Sequence, residues 1–151
     1  MVPIISYNYG ARKPERVKKT IRLAVFYAEC IMLVGFCIFQ FLPDKLLGLF
    51  AASDAMLAIC IPAMRIICLH FPLAGASIVL SSVFQALGNG VFCLIVSVCR
   101  QLFVLLPAAW LLAQTGNVNN VWWAFLIADY VSILMSLAFY ARINKTTIAP
   151  L

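Results

Sequence analysis

The chain has 151 residues, of which 65% are hydrophobic and 11% are charged, and its net charge is +6. This composition excludes an ordinary soluble domain and predicts an integral membrane chain. The basic residues adjoin apolar segments and have no base-stacking platform beside them, so they indicate membrane topology and anionic-lipid contact rather than nucleic-acid binding.

The chain begins with a short apolar segment and a basic loop. Residues 1–7 are far shorter than the roughly 20 residues that a spanning helix needs, and we interpret them as the end of a helix whose beginning is missing. Asn8 and Gly10 then predict a turn, and Pro14 predicts the start of a helix. Six of the eleven basic residues follow the turn, namely Arg12, Lys13, Arg16, Lys18, Lys19 and Arg22. The opening stretch therefore predicts a fragment of a longer protein, with a basic loop at the membrane surface.

Four apolar segments are long enough to cross a bilayer. Asp54 is a candidate N-cap for the second of them, and Pro62 and Pro72 inside it predict a bend or break. Residues 46–53 predict an interfacial turn or a short amphipathic helix. We therefore predict an all-α integral membrane fold with four transmembrane helices, at about 21–42, 54–84, 91–113 and 121–140.

The orientation of these helices follows from the positive charges in the connections. The opening loop is strongly basic and Arg142 and Lys145 lie at the C-terminal end, and an even number of spans places both ends on one side. The connection at 43–54 has one lysine and two aspartates, and the connection at 114–120 has no charge. The sequence thus predicts a cytoplasmic N-terminal loop and a cytoplasmic C-terminus.

Five ionisable residues lie inside the predicted spans, where each is costly unless it faces the bundle and has a partner. Glu29 and Arg100 lie at similar depths in the membrane, which predicts that they pair. The same reasoning pairs Arg65 with Asp129, and an exchange of partners between the two pairs is left open. One interpretation is a substrate or ion pathway; the alternative is structural ion pairs that hold helices together. For His70, which precedes Phe71-Pro72, a further alternative is that its imidazole hydrogen-bonds a backbone group that the proline kink leaves without a partner. The pathway candidates are Asp129, Arg65, Arg100, Glu29 and His70.

Other polar and sulfur-containing residues give weaker signals. Ser77 and Ser81 share a helix face and predict a small-residue packing seam. The six cysteines lie in apolar runs without metal-ligand spacing, and no catalytic motif appears. We therefore predict neither an enzyme, nor a metal, nor a cofactor other than a coupling ion.

Several segments match a known family in order and spacing. They are Tyr7-Asn8-Tyr9-Gly10-Ala11 with Arg16 behind it, then Phe71-Pro72-Leu73-Ala74-Gly75, Phe84-Gln85-Ala86-Leu87-Gly88, Arg100-Gln101 with Pro107, and Val121-Trp122-Trp123-Ala124-Phe125 with Asp129. In this order they resemble the multidrug and toxic compound extrusion (MATE) family, especially its bacterial drug/cation antiporters.

The resemblance implies part of the C-terminal lobe of a twelve-helix, two-lobe antiporter, from the end of helix eight through helix twelve. It makes Asn8, Tyr9, Gly10, Ala11 and Arg16 the motif loop between helices eight and nine. It further implies a bacterial inner membrane, organic cation or drug substrates, and a proton or sodium gradient that drives alternating access. Without the first lobe, this chain is not expected to transport alone.

Three other identities are weighed against this one. They are a non-transporting helical remnant, part of a lipid or polysaccharide flippase of the same superfamily, and a small multidrug transporter that works as a dimer. The last begins with a spanning helix and a carboxylate within it, whereas here a basic loop comes first.

Overall fold

The computed structural model describes residues 1–50 and 53–150, and this part of the chain is helical apart from the connecting turns, without a strand. Three short segments are not α-helical: the 3₁₀ turn Cys68–His70 and the π segments Cys99–Leu105 and Asn144–Ile148. The α-helices are α1 (Val2–Gly10), α2 (Pro14–Phe41), α3 (Pro43–Leu49), α4 (Asp54–Ile67), α5 (Phe71–Ala86), α6 (Gly90–Val98), α7 (Leu106–Ala113), α8 (Val118–Val121) and α9 (Trp123–Ile143).

Within the described residues, four helical stretches are long and apolar enough to cross a membrane. The all-α prediction with four transmembrane helices is therefore confirmed. The first stretch starts well before the predicted residue 21, because Pro14 and Glu15 suit the first turn of a helix and the basic residues continue it. The four stretches are Pro14–Phe41, Asp54–Ala86, Gly90–Ala113 and Val118–Ile148.

The connection between the first two spans contains the short helix α3, and residues 51 and 52 lie outside the described part. The Oγ of Ser53 accepts a hydrogen bond from the backbone N–H of Met56 at 3.4 Å. Ser53 is therefore the N-cap of α4, and the prediction that Asp54 caps this helix is wrong. Asp54 is the first helical residue, where its charge interacts favourably with the helix dipole.

Prolines set the breaks in the second and third spans. Pro62 lies inside α4, and Pro72 lies in the first turn of α5, directly after the 3₁₀ turn. The break in the second span was predicted from these two residues. In the third span, the π segment runs up to Pro107, whose ring removes a backbone donor and disturbs the preceding turn.

Two tight turns each contain one residue with a positive φ. At the Gly88-Asn89-Gly90 turn, only Gly88 has a positive φ, of 76°. After α1, the residue with a positive φ is Arg12, at 51°, because α1 continues through Gly10. The turn into α2 thus lies at Ala11 to Lys13 rather than at Asn8 to Gly10.

A buried apolar cluster holds one end of the bundle together. It surrounds the fully buried Phe84 and joins α1, α2, α5 and α9. The hydroxyl of Ser6 adds a hydrogen bond to the carbonyl of Ala86 at 2.9 Å, so α1 is fixed to the end of α5. The members of this apolar cluster are Ile5, Val17, Ile21, Leu80, Val83, Phe84, Ala86, Leu87, Ile133, Ile143 and Ile148.

Candidate functional site

Three ionisable side chains meet inside the helix bundle, and we call them the charge cluster: His70, Arg100 and Asp129. The Nδ1 of His70 lies 2.6 Å from Oδ2 of Asp129, and the Nε of Arg100 lies 2.9 Å from Oδ1 of the same carboxylate. Asp129 is only 1% exposed. One buried carboxylate is therefore shared between an imidazole and a guanidinium.

Irregular backbone presents two of these side chains. His70 ends the 3₁₀ turn before α5, and Arg100 lies in the π segment of the third span. Asp129 comes from regular helix, in the second turn of α9. Short π and 3₁₀ stretches often occur at functional sites, because they change the direction of a side chain without ending the helix.

Aromatic rings enclose the imidazole. Phe125, one helical turn before Asp129, stacks on His70 with a centroid distance of 6.2 Å, and Phe71 meets it edge-on at 5.2 Å. These rings restrict solvent and hold the imidazole on the carboxylate side. The Nδ1 of His70 faces Asp129, which favours a role in the charge cluster over the alternative that the imidazole hydrogen-bonds backbone at the proline kink.

The contacts in the charge cluster are close but poorly aligned. Within the described part of the chain, neither the two oxygens of Asp129 nor the Nδ1 of His70 have a partner with hydrogen-bond geometry. The two short distances are therefore charge contacts rather than directed hydrogen bonds. Charge contacts without directed hydrogen bonds do not hold the carboxylate of Asp129 to one partner in one geometry.

The predicted ion pairs change in the structure. Arg100 contacts Asp129, which is the exchange left open, and the pairs Glu29 with Arg100 and Arg65 with Asp129 are wrong. Across the described residues, neither Glu29 nor Arg65 has an ionic partner within 4.0 Å. Similar depth constrained the pairing too little, because it does not say which helices adjoin.

Glu29 and Arg65 have different surroundings instead. Glu29 projects from α2 onto α5, where a Cβ on Gly75 would lie only 3.2 Å from its Oε1. Arg65 lies on an exposed side of α4, away from the bundle. Their assignment to a substrate or ion pathway stays a prediction.

The motif-loop residues belong to the end of the bundle that holds the apolar cluster. Asn8 is 8% exposed, and its side-chain amide donates to the carbonyl of Ile4 at 2.8 Å. Tyr9 packs against the apolar cluster, whereas Gly10, Ala11 and Arg16 are exposed. The contacts of Asn8 and Tyr9 suit a role in positioning α1 on α2 and α5.

A polar cavity next to the charge cluster was missed by the sequence analysis. It has a volume of about 240 Å³ and lies between α5, the third span and α9. Ser77 and Ser81 line it, although we predicted them as a packing seam. A signal was present in α9, where Asp129, Ser132 and Ser136 recur at helical spacing. We call it the serine cavity; its lining is Ser77, Ile78, Ser81, Ser82, Gln85, Val96, Ser97, Arg100 and Ser132.

Curated relatives match nearly the whole chain. The Multidrug export protein MepA of Staphylococcus haemolyticus is 23% identical over 98% of this chain, and the FAD transporter of Shewanella oneidensis is 24% identical over 93%. These alignments cover 32% and 30% of the two relatives. The chain thus spans about a third of the length of the relatives that it matches.

Solved structures and a family model agree with these relatives. The MATE multidrug transporter DinF-BH is 32% identical with a TM-score of 0.86, and the match covers 100% of this chain and 33% of that one. An inward-facing MATE transporter of the MOP superfamily has the same fold at 20% identity and a TM-score of 0.84, over 97% of this chain and 35% of that one. The MatE family model matches residues 1–111, which is most of the sequence. The chain therefore belongs to the MatE family, the multidrug and toxic compound extrusion transporters.

Proposed function

We propose that this chain is part of the C-terminal lobe of a two-lobe antiporter that exports drugs or organic cations by alternating access. The observation that carries the proposal is the buried carboxylate of Asp129, shared between His70 and Arg100 inside a membrane bundle. Intramembrane ionisable groups of this kind mark ion and substrate pathways in transporters. The length of the relatives supports a second lobe outside this sequence.

In this proposal the charge cluster couples transport to a gradient of protons or sodium ions. With the carboxylate ionised, Arg100 and Asp129 neutralise each other and His70 adds a polar contact. A proton or a sodium ion on Asp129 removes this balance and releases Arg100 to new partners. The poor alignment of the contacts supports such an exchange, because little directed hydrogen bonding is lost when the partners part.

We further propose a bacterial plasma membrane location, with the basic end of the chain in the cytoplasm. The basic residues of α2 and the exposed Arg142 both extend from the end of the bundle that holds the apolar cluster. An excess of lysine and arginine is typical of cytoplasmic ends. The motif loop is then a cytoplasmic connection that positions helices, and it does not bind drug.

The test is ethidium uptake into inverted membrane vesicles that contain the full-length gene product carrying this sequence, because an exporter in an inverted membrane moves its substrate into the lumen. Asp129→Asn is expected to lower export about ten-fold or more, because the neutral amide cannot take part in charge exchange. Asp54→Asn makes the same chemical change at an exposed helix start and is the matched control. A protonophore and sodium-free buffer, applied separately, identify the coupling ion.

Export that is equal in Asp129→Asn and in Asp54→Asn would exclude Asp129 from coupling. A genomic sequence that encodes no further membrane helices upstream would instead favour the non-transporting remnant. Movement of lipid-linked sugars or lipids rather than ethidium would favour a flippase.

A further inference from the structure

The serine cavity has a lining that differs from what an organic cation requires. A space of about 240 Å³ is lined by five serines, Gln85 and Arg100, together with two aliphatic residues. Among the described residues that line it, none is acidic and none is aromatic. Cations are usually held by carboxylates or by the faces of aromatic rings, so this lining is unsuited to them.

Ser77 is among the residues that line this cavity, and its hydroxyl is buried without a partner among the described residues. Ser77 is 4% exposed, and within the described part of the chain its Oγ has no hydrogen-bond partner. Ser82, further along α5, shows the usual alternative, since its Oγ donates to the carbonyl of Ile78 at 3.0 Å. A buried hydroxyl without a partner is unfavourable, and an acceptor atom in the cavity would satisfy it.

Arg100 supplies the positive charge at the inner wall of the cavity. Its Nε is occupied by Asp129, but a guanidinium carries five N–H donors, and four of them are on the terminal amino groups. Across the described residues, no hydrogen bond to these amino groups is found. A planar donor pair next to a cluster of hydroxyls suits the two oxygens of a carboxylate or a phosphate.

We propose that the serine cavity binds an oxyanion group, a carboxylate or a phosphate, on a small organic ligand or a lipid headgroup. Arg100 is the charged partner of the oxyanion, and Ser77 and Ser81 donate hydrogen bonds to it. Asp129 competes with the ligand for the same guanidinium, so the oxyanion binds more tightly when this carboxylate is neutral. Binding of the oxyanion is measured at equilibrium, so this proposal does not depend on the proposed transport activity.

The experiment measures binding of para-fluorophenyl phosphate to the purified protein in phosphatidylcholine nanodiscs, by fluorine NMR line broadening. The charge-inverted control probe is para-fluorophenyltrimethylammonium, which has the same ring. Saturable binding of the phosphate probe, with no saturable binding of the ammonium probe, is expected. Equal or tighter binding of the ammonium probe would overturn the proposal.

Three variants locate the site. Arg100→Gln is expected to weaken binding of the phosphate probe about ten-fold or more, and Ser77→Ala about three-fold to ten-fold. Arg142→Gln removes an equal charge from an exposed position outside the cavity and should leave the affinity unchanged. Equal affinities in Arg100→Gln and Arg142→Gln would overturn the proposal.

A further variant separates ligand binding from a general loss of structure. Asp129→Asn removes the competing carboxylate and is expected to tighten phosphate-probe binding about three-fold or more. A merely structural ion pair predicts the opposite, because losing the partner of Arg100 would loosen the site. Weaker binding in Asp129→Asn would therefore count against the proposal, even if Arg100→Gln fails to fold.

Anionic lipid then distinguishes the two sources of the oxyanion. If phosphatidylglycerol in the nanodiscs displaces the probe equally from the unmodified protein and from Arg142→Gln, the natural ligand is a lipid headgroup. If the probe remains bound in both proteins, the ligand is a free organic anion. Both results keep the oxyanion site, whereas displacement that is lost in Arg142→Gln would show surface charge effects and overturn it.

Discussion

The second and fourth spans contribute to both the apolar cluster and the charge cluster, which also takes Arg100 from the third span, but they do so in opposite ways. Near Phe84, α5 and α9 bury close-packed apolar side chains, and the one hydrogen bond from Ser6 has good geometry. Near Asp129, the same spans bury charged groups whose short contacts are not aligned. The comparison indicates that stability is concentrated in the first region and that the second is free to rearrange.

Burial in a membrane protein stabilises mainly through dispersion contacts and small-residue packing, because lipid is as apolar as the protein interior. The apolar cluster therefore depends on close fit rather than on exclusion of water. The charge cluster contributes little net stability, since the cost of desolvating two charges offsets their attraction.

The largest expected effect is on the apolar cluster. Phe84→Ala leaves a cavity around a fully buried ring and should lower the free energy of unfolding by about 3–5 kcal/mol. The measurement is reversible unfolding in bicelles by titration with dodecyl sulfate. Phe103→Ala, at a ring that is 71% exposed, is the control, and an equal loss in both variants would remove the distinction between the two regions.

A smaller effect is expected where α2 approaches α5. A Cβ at Gly75 would lie 2.9 Å from the Cγ of Met32, so Gly75→Ala must displace the Met32 side chain or push the two helices apart, and it should cost about 1–3 kcal/mol in the same unfolding assay. Gly48→Ala adds the same methyl group where no atom lies within 4 Å. This control should be neutral or stabilising by up to about 1 kcal/mol. An equal cost at both positions would contradict the close approach.

The smallest stability effect is expected for replacing the central ion pair altogether. Arg100→Met combined with Asp129→Leu should change the free energy of unfolding by no more than about 1 kcal/mol, or raise it, because apolar pairs often replace buried ion pairs without loss. Ethidium export should nevertheless be lost. A large loss of stability in this double variant would show that the charge cluster holds the fold, and would break the comparison.

The four spans could be predicted because an apolar run of this length has few alternatives to a membrane helix. The boundaries of the spans were harder to predict from the sequence. Polar and basic residues such as Arg16 and Lys18 belong to α2, although hydropathy alone would place them before the helix. The bend at Pro72 was predictable from the chemistry of the residue itself. The N-cap was assigned one residue too late, because Ser53 and Asp54 are both good caps.

The site could be predicted only in part. Asp129 and Arg100 are visible in the sequence because charges are rare in apolar segments, and their contact was among the alternatives left open. His70 joined them through the packing of the 3₁₀ turn on α9, which no local pattern indicates. The π segment and the serine cavity depend on how three spans pack together, and serines separated in sequence by up to 55 positions, Ser77 and Ser132, line one space.

The 3₁₀ turn also increases the angle between the two basic residues of the second span. In an uninterrupted α-helix, side chains five residues apart, such as Arg65 and His70, point about 140° from each other. A 3₁₀ turn advances about 120° per residue rather than about 100°, so two or three such steps bring this angle to about 180–200°. Arg65 and His70 are thus placed on nearly opposite sides of the span, and when His70 faces the carboxylate, Arg65 is turned outward. Asp129 therefore has an imidazole beside Arg100 rather than a second guanidinium.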